Sequence, residues 1–318
     1  TSTVANAETV NAPLLLEGGY TFASGATSAA AALTFGGGIT PGPTSGTTTL
    51  TLNGSNTGTN TIKGVLADHT GGLLAVSKSG AGTWILSGAN TYSGGTTVSA
   101  GILEFDTAPT LANSTTLKVN GGTLRFKVST GSASVGTGVA ATVLSGATLE
   151  LAGSVAALAA GANRVNITNS STTPAGILVS GTNQVVGNID GTGNTQVNAG
   201  ASLQANHVIQ NALTIGGTST SHGTVTIDAS DPSGNPLIGV AGTALRDPTS
   251  SSPSFAVSPA PLVGFGAGGL GLADFGSLAS SGSDLASRPL GNSVPEPSTL
   301  LLLAVGGLAV FRRRRILR

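Results

Sequence analysis

Glu104, Arg125 and Lys127 are the side chains whose types and spacing come nearest to an acid–base cluster. Arg125 and Lys127 are two apart, so in a strand they share a face. In a coiled architecture Glu104 would lie one coil below them. A carboxylate beside two cations suits a sugar-cleaving site, and equally suits a solvated ion pair between coils. Other candidates are thinner. His69, His207 and His222 show no metal-ligand spacing, and Asp68 beside His69 would point to the opposite face of a strand. The stretch Asn188-Ile189-Asp190-Gly191-Thr192-Gly193-Asn194 hints at a calcium turn, but one carboxylate is too few for a tight site. Gly264-Phe265-Gly266-Ala267-Gly268-Gly269 fits G-x-G-x-x-G, yet it lies in a Pro/Ser/Gly-rich stretch rather than between a strand and a helix. Trp84 and Tyr92, with Asn90 between them, could stack a sugar or fill a core. Asn113-Ser114-Thr115 and Asn169-Ser170-Ser171 are N-x-S/T sequons.

The elements that must position these residues are strands. The body is rich in Gly, Thr, Ser, Ala and Asn and poor in good helix formers. Short β-branched runs are punctuated by turn residues at Thr47–Asn53, Thr83–Ser87, Thr96–Ser99, Thr116–Asn120, Thr142–Leu144 and Gly223–Asp228. One element recurs: a valine, a glycine three residues on, then a leucine. It reads Val98-Ser99-Ala100-Gly101-Ile102-Leu103 and Val119-Asn120-Gly121-Gly122-Thr123-Leu124. It returns as Val143-Leu144-Ser145-Gly146-Ala147-Thr148-Leu149 and as Val197-Asn198-Ala199-Gly200-Ala201-Ser202-Leu203. The glycines are 21, 24 and 54 residues apart, and the last gap is near twice 27. A period in the twenties predicts an all-β, right-handed parallel β-helix, with valine and leucine inward and glycine at the corners. A β-sandwich would place hairpins at similar intervals but would not repeat one turn in register. Asn90, Asn120, Asn188, Asn194 and Asn198 are expected to stack as ladders along the coils.

Composition narrows the function. There is no cysteine, which removes disulfides, thiol chemistry and thiolate metal sites. The formal charge of zero conceals an acidic body: of 13 Lys/Arg, five lie at 312–318, leaving eight against 13 Asp/Glu in residues 1–311. That balance argues against nucleic acid as a partner. No metal and no cofactor is expected.

The tail carries the sharpest pattern. Pro295, Glu296 and Pro297 precede an uncharged run of Leu300, Leu301, Leu302, Leu303, Ala304, Val305, Gly306, Gly307, Leu308, Ala309, Val310 and Phe311. Arg312, Arg313, Arg314 and Arg315 follow. As a helix the run is apolar all round, which requires burial in protein or lipid. Twelve residues span roughly 18 Å, short of the hydrocarbon core. Arginine stems can snorkel and a bilayer can thin around such a segment. Clustered arginines stay on the cytoplasmic side. The expectation is one short C-terminal transmembrane helix with a cytoplasmic basic stop.

These three parts resemble the PEP-CTERM sorting signal of Gram-negative bacteria. The resemblance implies that Pro295, Glu296 and Pro297 are read by an exosortase, a membrane-embedded transpeptidase-like enzyme. It also implies delivery to the cell surface or extracellular matrix. The prolines hold the motif extended, as a strand-like peptide substrate. A second resemblance lies at Lys78-Ser79-Gly80-Ala81-Gly82-Thr83-Trp84-Ile85-Leu86-Ser87-Gly88-Ala89-Asn90-Thr91-Tyr92-Ser93-Gly94-Gly95-Thr96-Thr97-Val98. It is similar to the autotransporter-associated β-strand repeat, also called the passenger-associated transport repeat. That family implies a β-helix coil used in secretion and display, without catalytic residues.

The expected organisation is a cap or incomplete coil at 1–44, a β-solenoid at 45–230 with the repeat at about 78–105, a Gly/Pro/Ser-rich linker at 231–293 and the sorting signal at 294–318. A flexible linker of that length would span about 45 Å. Residue 1 is not Met and Thr1–Ala7 has no apolar core of a leader, so a signal peptide is expected upstream. An autotransporter's own barrel would need at least about eight alternating strands at the C-terminus, and no such stretch is expected in this chain. The expected function is a non-enzymatic structural or adhesive protein of the surface or biofilm matrix, with extracellular polysaccharide as a candidate ligand. The alternative is a secreted carbohydrate-active β-helix, either lyase-like or a binding module.

Overall fold

The computed structural model describes residues 6–218 and 221–228, with the strand segments Ile238–Val240, Ala256–Val257, Leu303–Val305 and Leu308–Val310. The fold is a parallel β-solenoid, and the described residues contain no helix. Two ten-stranded sheets run its length. The first sheet stacks Glu8–Val10, Leu33–Phe35, Asn60–Ile62, Thr83–Leu86, Ile102–Phe105, Gly122–Phe126, Ala147–Leu151, Ile177–Val179, Asn194–Val197 and Ala212–Ile215. The second runs from Tyr20–Ala23 through Gly46–Asn53, Gly72–Lys78, Thr96–Val98, Thr116–Val119, Ala140–Val143, Asn166–Asn169, Asn188–Asp190 and His207–Gln210 to Ile238–Val240. Every neighbouring pair in both is parallel, as coils stacked one on the next require. Shorter parallel strands fill the third side, including Gln184–Val185, Ser202–Ala205, Thr224–Ile227 and Ala256–Val257. The ladder already runs through Glu8–Val10 and Leu14–Leu16, within the first 44 residues.

The core is a set of inward columns. In the first sheet Phe35, Ile62, Leu86, Phe105, Phe126, Leu151, Val179, Val197 and Ile215 stack in register, all buried. Trp84, Leu103, Leu124, Leu149 and Ile177 form the column beside them. Period-2 alternation produces this arrangement: the inward face of the strands is mostly apolar, with a few buried polar side chains such as Asn60 and Thr195, and the outward face is mostly Thr, Ser or charge. Rings stack directly on rings, Phe22 on Phe35 at 4.2 Å and Phe105 on Phe126 at 5.0 Å.

Two expectations about the repeat need correction. Strands of the first sheet from Thr83 onward begin 19, 20, 25, 30, 17 and 18 residues apart, so the coil is not confined to the twenties. The 30-residue coil holds an antiparallel insertion, Ala159–Ala160 with Asn163–Arg164. Gly101, Gly122 and Gly146 all turn the chain from the second sheet into the first with φ of 65°, 64° and 79°. Gly200, at φ 73°, turns it from the first sheet into the third. The same local turn thus serves two different corners, and the gap of 54 residues is not two periods. At Gly101 a Cβ would also meet Gly82 O at 2.4 Å, so both backbone angle and space demand glycine there.

The asparagine columns are also only partly as expected. Of the five residues, Asn90 alone is fully buried. Asn188 and Asn194 each accept from an asparagine in the next coil, Asn206 at 3.3 Å and Asn211 at 3.1 Å. Asn120 is exposed, and Asn198 pairs with Gln196 of its own segment at 2.8 Å.

Within the expected transmembrane helix the structure describes only Leu303–Val305 and Leu308–Val310, as paired antiparallel strands. A glycine pair, Gly306-Gly307, separates them in sequence, and such a pair lowers helix propensity and suits a two-residue hairpin. No helix among the described residues is long and apolar enough to cross a membrane. Pro295, Glu296, Pro297 and Arg312 to Arg315 lie outside the described residues. So does the expected linker, apart from two short strands that extend the sheets.

Candidate functional site

The first sheet brings Glu104 and Arg125 together, as the spacing suggests, because they are register partners in adjacent coils. Arg125 is also the register partner of Glu150. The guanidinium therefore sits between two carboxylates, Nη1 to Glu104 Oε2 at 3.2 Å and Nε to Glu150 Oε2 at 2.7 Å. Burial alone would lower the pKa of Arg125; hydrogen bonds and charge from Glu150 and Glu104 outweigh it and push the pKa up. Glu150 Oε1 accepts from Ser180 Oγ at 3.0 Å. Lys127 is exposed and does not join the cluster. The carboxylates are already committed to the cation between them, which is the arrangement of an ion ladder tying three coils.

Glu150 escaped the sequence reading although its signal was present. Glu104 follows Leu103, Arg125 follows Leu124 and Glu150 follows Leu149, three, three and four residues after the corner glycine. Aligning the repeat one residue further would have placed all three in one column.

The aromatic pair packs rather than displays. Trp84 is fully buried, and its Nε1 donates to Asn53 O at 3.0 Å. Tyr92 is 5% exposed and shares a hydrogen bond of 2.7 Å with Thr96 Oγ1. Burial pushes its phenol pKa up. Asp68 does not engage His69, which is exposed. Its Oδ1 accepts from Leu74 N at 2.7 Å and Ser93 N at 3.1 Å, so it staples a loop to the following coil.

The remaining motif candidates resolve locally. Asp190 of the calcium-like turn holds Nε2 of buried His207 at 2.8 Å. No group of three or more metal-ligating side chains occurs among the described residues. Asn169 of the second sequon is fully buried and inaccessible to glycosylation, whereas Asn113 is exposed.

Lys78 is the least anticipated feature. It takes the inward position filled by Leu52 below and Val98 above, and it is fully buried. Its Nζ donates to Ser79 O at 2.9 Å, Gly80 O at 2.6 Å and Ala100 O at 3.1 Å. The ammonium thus holds two successive corners together, and desolvation brings its pKa down to about 8. Arg164, on the insertion, reaches across coils to Asn206 at 2.8 Å and Asp228 at 3.0 Å.

Residues 76–105, one full coil containing Lys78, Trp84 and Tyr92, match the Passenger-associated-transport-repeat family. Residues 293–315 match the PEP-CTERM protein-sorting motif. The chain carries both. The chain is also similar to the adhesin BmaC autotransporter of Brucella suis biovar 1 (strain 1330), at 31% identity over 123 residues, 38% of this chain. The chain spans about 4% of that relative's length. No solved structure matches the chain. The transport repeat therefore coincides with the coil that holds Trp84, Phe105 and the lysine clamp.

Proposed function

We propose that the protein is an exported β-solenoid displayed at the cell surface or in the extracellular matrix, where it serves a structural or adhesive role. The carrying observation is the three-part tail inside the matched sorting motif at 293–315. Pro295, Glu296 and Pro297 are the recognition residues for an exosortase-type enzyme. Leu300 to Phe311 is the membrane-crossing segment of the precursor, and Arg312 to Arg315 hold its end on the cytoplasmic side. Residues 231–293 act as a tether between membrane and rod. The transport repeat and the likeness to an adhesin support an adhesive use of the rod rather than catalysis. The alternative, a sugar-cleaving enzyme, has Glu104, Arg125 and Glu150 as its best cluster, and these saturate one another.

The test replaces Pro295-Glu296-Pro297 with alanines in a host that has an exosortase. The precursor should then stay full-length in the inner-membrane fraction. Processing and release at the normal rate would remove the sorting role.

A further inference from the structure

The outward face of the second sheet carries two columns whose contents differ. One runs Thr51, Ser77, Thr97, Lys118 in strict register. In the other, Thr49 is the partner of Ala75; Gly95 and Thr116 continue the column at the next two strands. Side chains in this second column shrink to a methyl, then to nothing, and then grow back. The result is a trough of about 310 Å³, floored by Ala75 and Gly95 and closed by Thr49 and Thr116 at its ends. Gly95 has φ 93°, and a Cβ on it would meet Thr116 Oγ1 at 3.1 Å, so the floor resists being filled by a larger residue. Three strand spacings make the trough roughly 14 Å long.

Its chemistry is specific. Ser77 and Thr97 line one side, one hydroxyl per coil about 4.8 Å apart, and Thr49 and Thr116 add hydroxyls at the two ends. Lys118 stands at the rim, exposed, with no ion pair or hydrogen bond among the described residues. The next carboxylate along its column is Asp190, three strands away. An extended chain of sugar units offers hydroxyls at a comparable repeat, and a carboxylate on one unit would meet Lys118. We propose that this trough binds a short segment of a uronic-acid-containing polysaccharide, with Lys118 pairing the carboxylate and Thr49, Ser77, Thr97 and Thr116 hydrogen-bonding the ring hydroxyls. This deepens the adhesive reading above by naming a ligand class and a place for it.

The experiment is calorimetric titration of the purified full chain, in mild detergent, with an oligouronate and with a neutral oligosaccharide of equal length. Ala75→Gln fills the floor and Lys118→Gln removes the cation; both positions face outward, so both variants should keep the wild-type melting midpoint. The oligouronate should bind the wild type, and each variant should weaken it by about tenfold or more, the scale of one lost charge-assisted contact. The neutral oligosaccharide should bind weakly and ignore Lys118→Gln. No binding of the oligouronate, or equal binding by wild type and both variants, overturns the site. Tail processing and surface exposure are measured separately, so loss of this site leaves the export reading intact.

Discussion

The coils from Phe22 to Phe126 and those from Asn169 to Gln210 have the same parallel ladder but solve the interior differently. The first group is filled by rings: Phe22 on Phe35, Phe35 near Trp84 at 6.2 Å, and Phe105 on Phe126. Both groups bury side-chain amides, Asn56, Asn60 and Asn90 in the first, but in the second no ring stack accompanies them among the described residues. Asn169 Nδ2 donates to Gln210 Oε1 at 2.7 Å and to Asn194 O at 3.0 Å, while its Oδ1 accepts from Ser171 N at 3.0 Å. Gln184 Nε2 donates to Gly153 O at 2.9 Å and Thr182 O at 2.7 Å. Stacked rings stabilise by area and tolerate variation in corner geometry. Amides stabilise only while every partner is in place, since an unpaired buried polar group is costly. The regular transport repeat lies in the first group, and the sequence periodicity fades in the second.

Because a solenoid transmits stability mainly between neighbours, changes in one group should be felt locally. Trp84→Ala should cost the most, about 3–5 kcal/mol, by opening a cavity and removing one of the two donors to Asn53 O. Hydrogen exchange should accelerate around residues 60–126 and stay near wild type beyond Asn169; uniform acceleration would break the distinction between the groups. Asn169→Ala should cost about 1–3 kcal/mol, with faster exchange confined to its partners at Ser171, Asn194 and Gln210. A larger loss than for Trp84→Ala, read from denaturant midpoints, would reverse the ranking.

The ion ladder that ties the end of the first group to the next coil should matter less. Arg125 is partly exposed, so Arg125→Gln should cost about 0.5–1 kcal/mol, and the cost should shrink in high salt. A loss of several kcal/mol would mean the ladder is a main support of the rod. Lys78 gives a signal of another kind, a dependence of stability on pH. Unfolded, it keeps its proton to about pH 10.4, whereas the folded chain releases it near 8. Between those values the unfolded state binds more protons, so stability should rise with pH above 8. Lys78→Met should flatten that rise, and a slope unchanged by the substitution would assign it elsewhere.

The ring-filled group was the legible one. Its alternation and its Val-x-x-Gly-x-Leu corners give the inward columns directly, and the aromatic residues fall into them. Glu104 with Arg125 was legible for the same reason, since both follow a corner at fixed distance. The coil of 30 residues was not, because a hairpin insertion leaves no periodic trace. Nor was the second use of the corner at Gly200: the left-handed turn is a local solution, and local sequence does not say which two faces it joins. Lys78 was hidden because its position reads as a valine site, and only three carbonyl oxygens from two corners make a buried ammonium tolerable there. The trough was hidden because its cause is what Ala75 and Gly95 lack.

Lysine labelling on intact cells tests the account most directly. A membrane-impermeant amine reagent is applied to a host with an exosortase, and modified peptides are read by mass spectrometry. Lys63, Lys118 and Lys127 are exposed on the solenoid and Lys78 is buried within it. The expected result is labelling of Lys63, Lys118 and Lys127 without lysis, with Lys78 protected until the protein is denatured. Labelling of the three only after lysis would contradict display at the surface, and equal labelling of Lys78 would contradict the solenoid.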